Sequence, residues 1–203
     1  MKLNIRTISA AAALLLATSA LAQETTFSVS AGATYSDNVG RTDANEQSDT
    51  IAEAGLQLGL MREGRLDADV SADLRYLSYL DDTFDDELVG GLSGRVSYAF
   101  VPDRFTWVVE DEFGQSFIDP RDVETPGNRQ DLNVFATGPT VVLPLGSRTE
   151  LSLSGRWTDV TYEESELDSE RLSGTLGLAR AMGDTSSLSL NASSQRAEFD
   201  ASP

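Results

Sequence analysis

Cysteine and histidine are both missing from the 203 residues of this chain. Without them the Ser-His-Asp and Cys-His nucleophile systems, the usual zinc sites, haem and iron-sulfur ligation all lose their parts. Metal chemistry is left with carboxylate and carbonyl oxygens. Positive charge is also scarce: 15 basic side chains, of which Lys2 is the one lysine, stand against 33 acidic ones, for a net charge of -18. The arginines are scattered singly, so no basic face attracts a phosphate backbone and nucleic acid is not an expected partner. No cofactor is expected either. Beyond residue 22 no apolar run is long enough for a membrane helix.

The first 22 residues read as an address. Lys2 and Arg6 form a positive n-region, Ile8 to Leu21 a mainly apolar run, and Ala20-Leu21-Ala22 a small-x-small cleavage pattern. The apolar run is short for a transmembrane anchor, which needs ~20 residues. Cleavage after Ala22 leaves residues 23–203 as one domain with 13 basic and 33 acidic side chains, a net charge of -20. The expected destination lies beyond the inner membrane, where a cysteine-free chain avoids unwanted thiol pairing.

Period-two alternation runs through the rest of the chain, as expected of strands with one apolar face. Its clearest stretch places Leu66, Ala68, Val70, Ala72, Leu74 and Tyr76 on one side, with Asp67, Asp69, Ser71, Asp73 and Arg75 on the other. Nine such strands begin near Thr26, Thr50, Arg65, Glu87, Phe105, Asp131, Thr149, Arg171 and Ser186. Tight turns at 61–65, 101–104, 146–148 and 183–184 take turns with longer polar loops at 37–49, 81–86, 119–130 and 163–169. This is a meander of long hairpins. Folding each tight turn in half pairs Phe100 with Phe105, Tyr98 with Trp107, Val96 with Val109 and Arg95 with Glu110. It also pairs Leu60 with Leu66, Leu58 with Ala68, Leu56 with Val70, Leu178 with Leu188 and Leu176 with Leu190. Across the longer loop, Asp73 is expected near Arg95.

Two architectures share this pattern, a soluble β-sandwich with apolar faces inward and a transmembrane barrel with its apolar face toward lipid. Strands of ~12 residues, tilted about 45°, suit a hydrocarbon core of ~30 Å better than a globular sheet. Aromatic placement points the same way. Tyr98, Phe100, Phe105 and Trp107 cluster beside a tight turn, while Tyr35, Tyr76, Tyr79, Phe117, Tyr162 and Phe199 lie toward the long loops, as two interfacial girdles would. The fold expected is an all-β, antiparallel, up-and-down transmembrane β-barrel. Asp67, Asp69, Asp73, Arg75, Arg95, Glu110, Glu112 and Arg156 then line a wet lumen, and outer-membrane lipid and lipopolysaccharide are the surrounding partners. Nine strands and the polar end from Ala197 to Pro203 suggest the N-terminal part of a longer barrel, since bacterial barrels have even strand numbers. The other reading is a complete eight-stranded barrel with one strand miscounted.

No residue set announces catalysis. Asp111 and Glu112 are strand neighbours and point to opposite faces, so they cannot jointly flank a scissile bond. A glycosidase could recruit Glu110, Glu112 and Asp73 from different strands, but nothing singles them out and a charge-balanced lumen is the stronger reading. Asp111 itself points toward lipid, which calls for a position near the interface or a bulge. The loops are acidic, with clusters at Asp81, Asp82, Asp85, Asp86 and Glu87 and at Glu163, Glu164, Glu166, Asp168 and Glu170, but neither Asp81 to Glu87 nor Asp37 to Asp49 has the spaced oxygen ligands and turn glycine of a calcium loop. Gly90, Gly91 and Gly94 are followed by no helix and are expected to permit curvature or close packing. Pro139 and Pro144 each remove a ladder donor and suggest a bulge, a local edge or a shorter sixth strand.

Three stretches resemble a known family: Thr34-Tyr35-Ser36-Asp37-Asn38-Val39; Asp111-Glu112-Phe113-Gly114-Gln115 with Thr137-Gly138-Pro139; and Tyr162-Glu163-Glu164-Ser165 leading to Asp168-Ser169-Glu170-Arg171. Together they are similar to outer-membrane β-barrel proteins that accompany exopolysaccharide and exosortase (PEP-CTERM) gene clusters. The resemblance implies a non-enzymatic outer-membrane barrel associated with surface polysaccharide production or export, with polysaccharide as a partner and no catalytic residues to carry over. The alternatives are a general diffusion porin and a secreted β-sandwich adhesin.

Overall fold

A computed structural model describes residues 24–183 and 185–199. The expected leader, residues 1–22, lies outside the described residues, as do Gln23, Asp184 and the last four residues. Among those described, nine strands form one antiparallel sheet in chain order: β1 (Glu24–Ser36), β2 (Asp49–Arg62), β3 (Leu66–Tyr79), β4 (Glu87–Val101), β5 (Phe105–Phe117), β6 (Arg129–Pro144), β7 (Thr149–Tyr162), β8 (Ser169–Ala181) and β9 (Ser187–Phe199). The strand starts fall within two residues of those expected. The one helix described is a single 3-10 turn, Pro126–Asn128. A sandwich needs a second sheet, and the described residues form one layer. That layer is not closed, so β1 and β9 each keep a free edge.

Directly paired residues share a face, so the registers sort every strand side chain onto one side or the other. Leu60, Ala68, Val70, Ala72 and Leu92 lie on one face and are all buried, Val70 to 2% exposure. The same face carries apolar side chains that are open to solvent toward both edges, including Phe27 at 67%, Val29 at 68% and Leu172 at 62% exposure. All eight charges assigned to the lumen, Asp67, Asp69, Asp73, Arg75, Arg95, Glu110, Glu112 and Arg156, lie on the other face.

The register rows climb across the sheet. One row runs Thr25, Leu60, Val70, Gly94, Asp111, Phe135, Asp159, Glu170, Glu198. It starts one residue above the tight-turn end of β1 and finishes eleven above that end of β9. A climb of about ten residues over eight seams, at ~3.3 Å per residue and ~4.8 Å per strand, is a strand tilt of roughly 40°.

Three expected registers are corrected, each by an even shift or a bulge that leaves the faces intact. At the first tight turn Leu60 pairs with Val70, Leu58 with Ala72 and Leu56 with Leu74, four residues from the simple fold. The turn is wider because Arg65 is drawn to the next hairpin: its Nε donates to Ala99 O (3.0 Å), its Nη2 to Phe100 O (3.1 Å), and its guanidinium lies over the Tyr98 ring. At the last turn Leu178 pairs with Leu190 and Leu176 with Ala192, a shift of two, because Met182 N already bonds Ser186 O at 2.8 Å. Between Ala99 and Val101 the register slips, so Phe105 pairs with Val101 and not with Phe100. The two rings still stack, with centroids 5.3 Å apart. Tyr98 with Trp107, Val96 with Val109 and Arg95 with Glu110 pair as expected.

Two glycines mark places where backbones crowd. Gly90 sits at φ +121°, and a Cβ there would stand 1.9 Å from Asp73 O. A Cβ on Gly138 would stand 2.1 Å from Gly155 O. Neither clash can be relieved by rotating a side chain. Gly90→Ala and Gly138→Ala are therefore expected to lower stability by ~1 to 3 kcal/mol, read as a drop in the urea midpoint. Gly114→Ala, where an added Cβ meets nothing within 4 Å, is the matched control and should hold its midpoint. Equal losses at all three positions would contradict the close-approach explanation.

Candidate functional site

Grooves are concentrated on the polar face and at the loop end. One of about 460 Å³ is lined by Ser71, Asp73, Gly91, Ser93 and Glu112 among others. Another, about 610 Å³, runs past Ser28, Ser30, Gln57, Asp73 and Arg75. Small Ser and Gly side chains from β1 to β4 leave this space. Arg95 is bonded to Glu110, and Asp73 accepts Gln57 Nε2 at 3.0 Å. Asp73 does not stand beside Arg95 as expected; the β3 residue opposite Arg95 is Asp69, and Asp73 faces Gly91.

Arg156 lies on the polar face but is tied to the sheet itself. Pro139 carries no N–H, and the β6–β7 ladder skips Gly138 and Pro139 without changing register. Arg156 Nη1 donates to Pro139 O (3.0 Å) and Gly155 O (2.8 Å), and Nη2 to Thr140 Oγ1 (3.2 Å). The prolines therefore neither shorten β6, which runs to Pro144, nor cause a bulge. A guanidinium fills the gap that they leave.

Asp111 corrects a second expectation. It sits mid-strand on the apolar face at 4% exposure, in unbroken register with Gly94 and Phe135, so it is neither at the interface nor on a bulge. Gly94 beside it has no side chain, and Asn133 Nδ2 donates to its Oδ1 at 3.1 Å. A buried carboxyl needs such a donor.

The girdle residues divide. Tyr98, Phe105 and Trp107 share the apolar face near the tight turns, joined by the Phe100 ring, and Tyr35, Tyr76 and Phe117 share it near the long loops. Tyr162 pairs with Leu132 and belongs to the polar face, as do Tyr79, which is buried, and Phe199, which is exposed. The period-two count separates these residues correctly; grouping by height alone does not.

The long loops interlock. Asp49, fully buried, accepts Asp81 N (3.1 Å), Thr83 N (3.3 Å) and the Thr83 hydroxyl, which ties 80–86 to β2. Phe84 meets the Tyr79 ring edge-on at 5.6 Å. Asn128 ties down 119–123 through Asp119 and Val123. Gln130 holds the next loop, its Oε1 accepting Ser165 N at 2.9 Å and its Nε2 donating to Ser165 Oγ at 2.7 Å. The periodicity of the sequence carries no signal for these long-range ties. Among the described residues no three carboxylates converge as a metal site would require.

No protein-family model matches the chain, and neither the curated proteins nor the solved structures contain a match to it.

Asp86 supplies a pH test of the loop end. It accepts the Tyr76 hydroxyl at 2.7 Å, and this bond, with others from Ser78 and Tyr79 N, holds its carboxyl below the ordinary range. A lowered folded pKa means that the contact stabilises the loop above the ordinary Asp value of ~3.9 and is lost as pH falls through the folded pKa below it. Tyr76→Phe is expected to move the Asp86 titration upward toward ~3.9, followed by carboxyl-carbon NMR. An unmoved titration would show that the Tyr76 bond does not set it.

Proposed function

We propose that the chain is an integral β-barrel of the outer membrane, without enzymatic activity, that serves the production or export of surface polysaccharide. The observation carrying the membrane part is the one-sided exposure of large apolar residues. Phe27, Val29, Leu153, Leu172, Leu188 and Leu190 are open to solvent, and all lie on the face opposite the eight charges assigned to the lumen, a face that also carries Arg180 and Arg196 on β8 and β9. Patches of that extent on one side of a sheet call for an apolar partner. The strands hold 13 to 16 residues, and at a tilt of roughly 40° they are long enough to cross a hydrocarbon core of ~30 Å.

A barrel in lipid has no free edge. β1 and β9 run in the same direction, so a direct seam between them would be parallel, and an odd number of intervening strands would keep every seam antiparallel. The polysaccharide link rests on the family resemblance. The interlocked loop end favours a gated or specific passage over a general diffusion porin. Of the three carboxylates a hydrolase could recruit, Glu110 and Asp73 are engaged by Arg95 and Gln57 and only Glu112 faces its groove without such a tie, which supports a non-enzymatic reading.

Fractionation of cells is expected to place the protein in outer membranes that resist carbonate and high salt, and deletion of its gene to lower surface polysaccharide. Recovery as a soluble monomer would overturn the membrane assignment; normal polysaccharide in the deletion strain would overturn the export role alone.

The faces can be tested separately. Arg95→Ala removes an exposed ion pair of ~0 to 1 kcal/mol and should insert into vesicles normally. Val96→Arg and Val109→Arg place a guanidinium on the apolar face at ~2 to 4 kcal/mol near the midplane and should insert poorly. The reverse order of folding yields would mean that the faces are inverted.

A further inference from the structure

The ladder between β4 and β5 stops early. Pairing runs from Val101 with Phe105 to Leu92 with Phe113 and goes no further, although β4 continues to Glu87 and β5 to Phe117. This is a fork and not a frayed end. On their outer sides both strands remain laddered, Glu87 with Leu77 of β3 and Phe117 with Arg129 of β6.

Two side-chain bridges span the fork. Gln115 stands in for the missing ladder: its Oε1 accepts Gly90 N at 2.8 Å, and its Nε2 donates to Leu88 O at 3.2 Å and to Asp131 Oδ1 at 3.1 Å. Arg129 of β6 reaches past β5 to Glu87 of β4, Nη1 to Oε2 at 3.2 Å. A groove of about 650 Å³ opens here, with Phe84 and Leu88 among its apolar lining residues and Gln115, Arg129 and Asp131 among its polar ones. Continuing the register would set Gly91 against Gly114, so the fork has no side chains at its base. Beside the fork the otherwise mainly apolar middle of this face carries two polar pairs, Gln115 with Asp131 and Asn133 with Asp111.

We infer that the β4–β5 fork is a latched side opening in the sheet, through which an amphipathic molecule with an uncharged or zwitterionic head passes between the polar face and the surrounding lipid. The inference rests on the membrane reading above. Polar pairs on a lipid-facing surface are costly unless a polar group uses them, and a groove with apolar and polar walls suits a molecule with both parts. The carboxylates of Glu87 and Asp131 at the mouth disfavour an anionic head. Gln115 and the Arg129–Glu87 pair are the latch, since each can break without unpairing a backbone ladder.

The test uses the full chain in phosphatidylcholine vesicles, with a fluorophore on Gly114→Cys, where an added Cβ has open space, or on Val96→Cys. Nitroxide-bearing phosphatidylcholine should quench the Val96 label in every background. It should quench the Gly114 label weakly in the parent and several-fold more in Gln115→Leu and in Arg129→Gln. Hydrogen exchange of 87–91 and 114–117 should accelerate about tenfold in both latch variants, with 92–99 and 106–113 unchanged. Nitroxide-bearing phosphatidylglycerol should quench the Gly114 label less. No quenching at Val96 would sink the membrane reading itself. Quenching at Val96 with Gly114 unchanged in both latch variants would sink the side opening, and so would exchange that accelerates evenly along β4 and β5.

Discussion

A single sheet has two faces and no second layer to hide either of them, and most features of this molecule follow from that constraint. Backbone pairing satisfies the N–H and C=O groups within the layer. It cannot cover the apolar side chains that period-two alternation delivers to one face. Burial among neighbours on that face protects Val70 and Leu60 in the middle of the sheet, but toward β1 and β9 the leucines, valines and phenylalanines stay open. Covering that face would stabilise the fold, and a hydrocarbon phase would do so without shape complementarity.

The same layer explains where polar chemistry collects. Small residues on the charged face leave grooves, and across neighbouring strands there Arg95 pairs with Glu110 and Asp73 with Gln57. Where the backbone itself fails, side chains repair it: Arg156 at the Pro139 gap and Gln115 at the β4–β5 fork each supply hydrogen bonds that the ladder lacks. The climbing registers carry the carboxylates of Asp159, Glu170 and Glu198 toward the loop ends of their strands. Asp111, buried mid-strand on the apolar face, is held there by Asn133 and by the space beside Gly94.

Much of this was legible in the sequence because alternation is a local signal. Strand positions and the face of every singled-out charge follow from counting by two. The register errors at the Gly64 and Gly183 hairpins, of four and two residues, are even and so invisible to that count. What the count could not reach is long-range and side-chain-made: Arg65 reaching the next hairpin, the bulge at Phe100, the loops gathered by Asp49 and Gln130, and the fork at Gln115. Tyr162 has the height of a girdle residue, but its parity sets it on the polar face. The open edges of β1 and β9 belong to topology, which no periodicity encodes.

The central claim is that this tilted layer lies in a membrane with its strands inclined as their stagger dictates. Polarised infrared spectroscopy of the full chain in oriented bilayers measures that inclination directly, through the dichroism of the amide bands. The account predicts an ordered sample with strands roughly 40° from the bilayer normal, the angle that the registers imply. An isotropic signal, or strands lying flat on the bilayer surface, would contradict it.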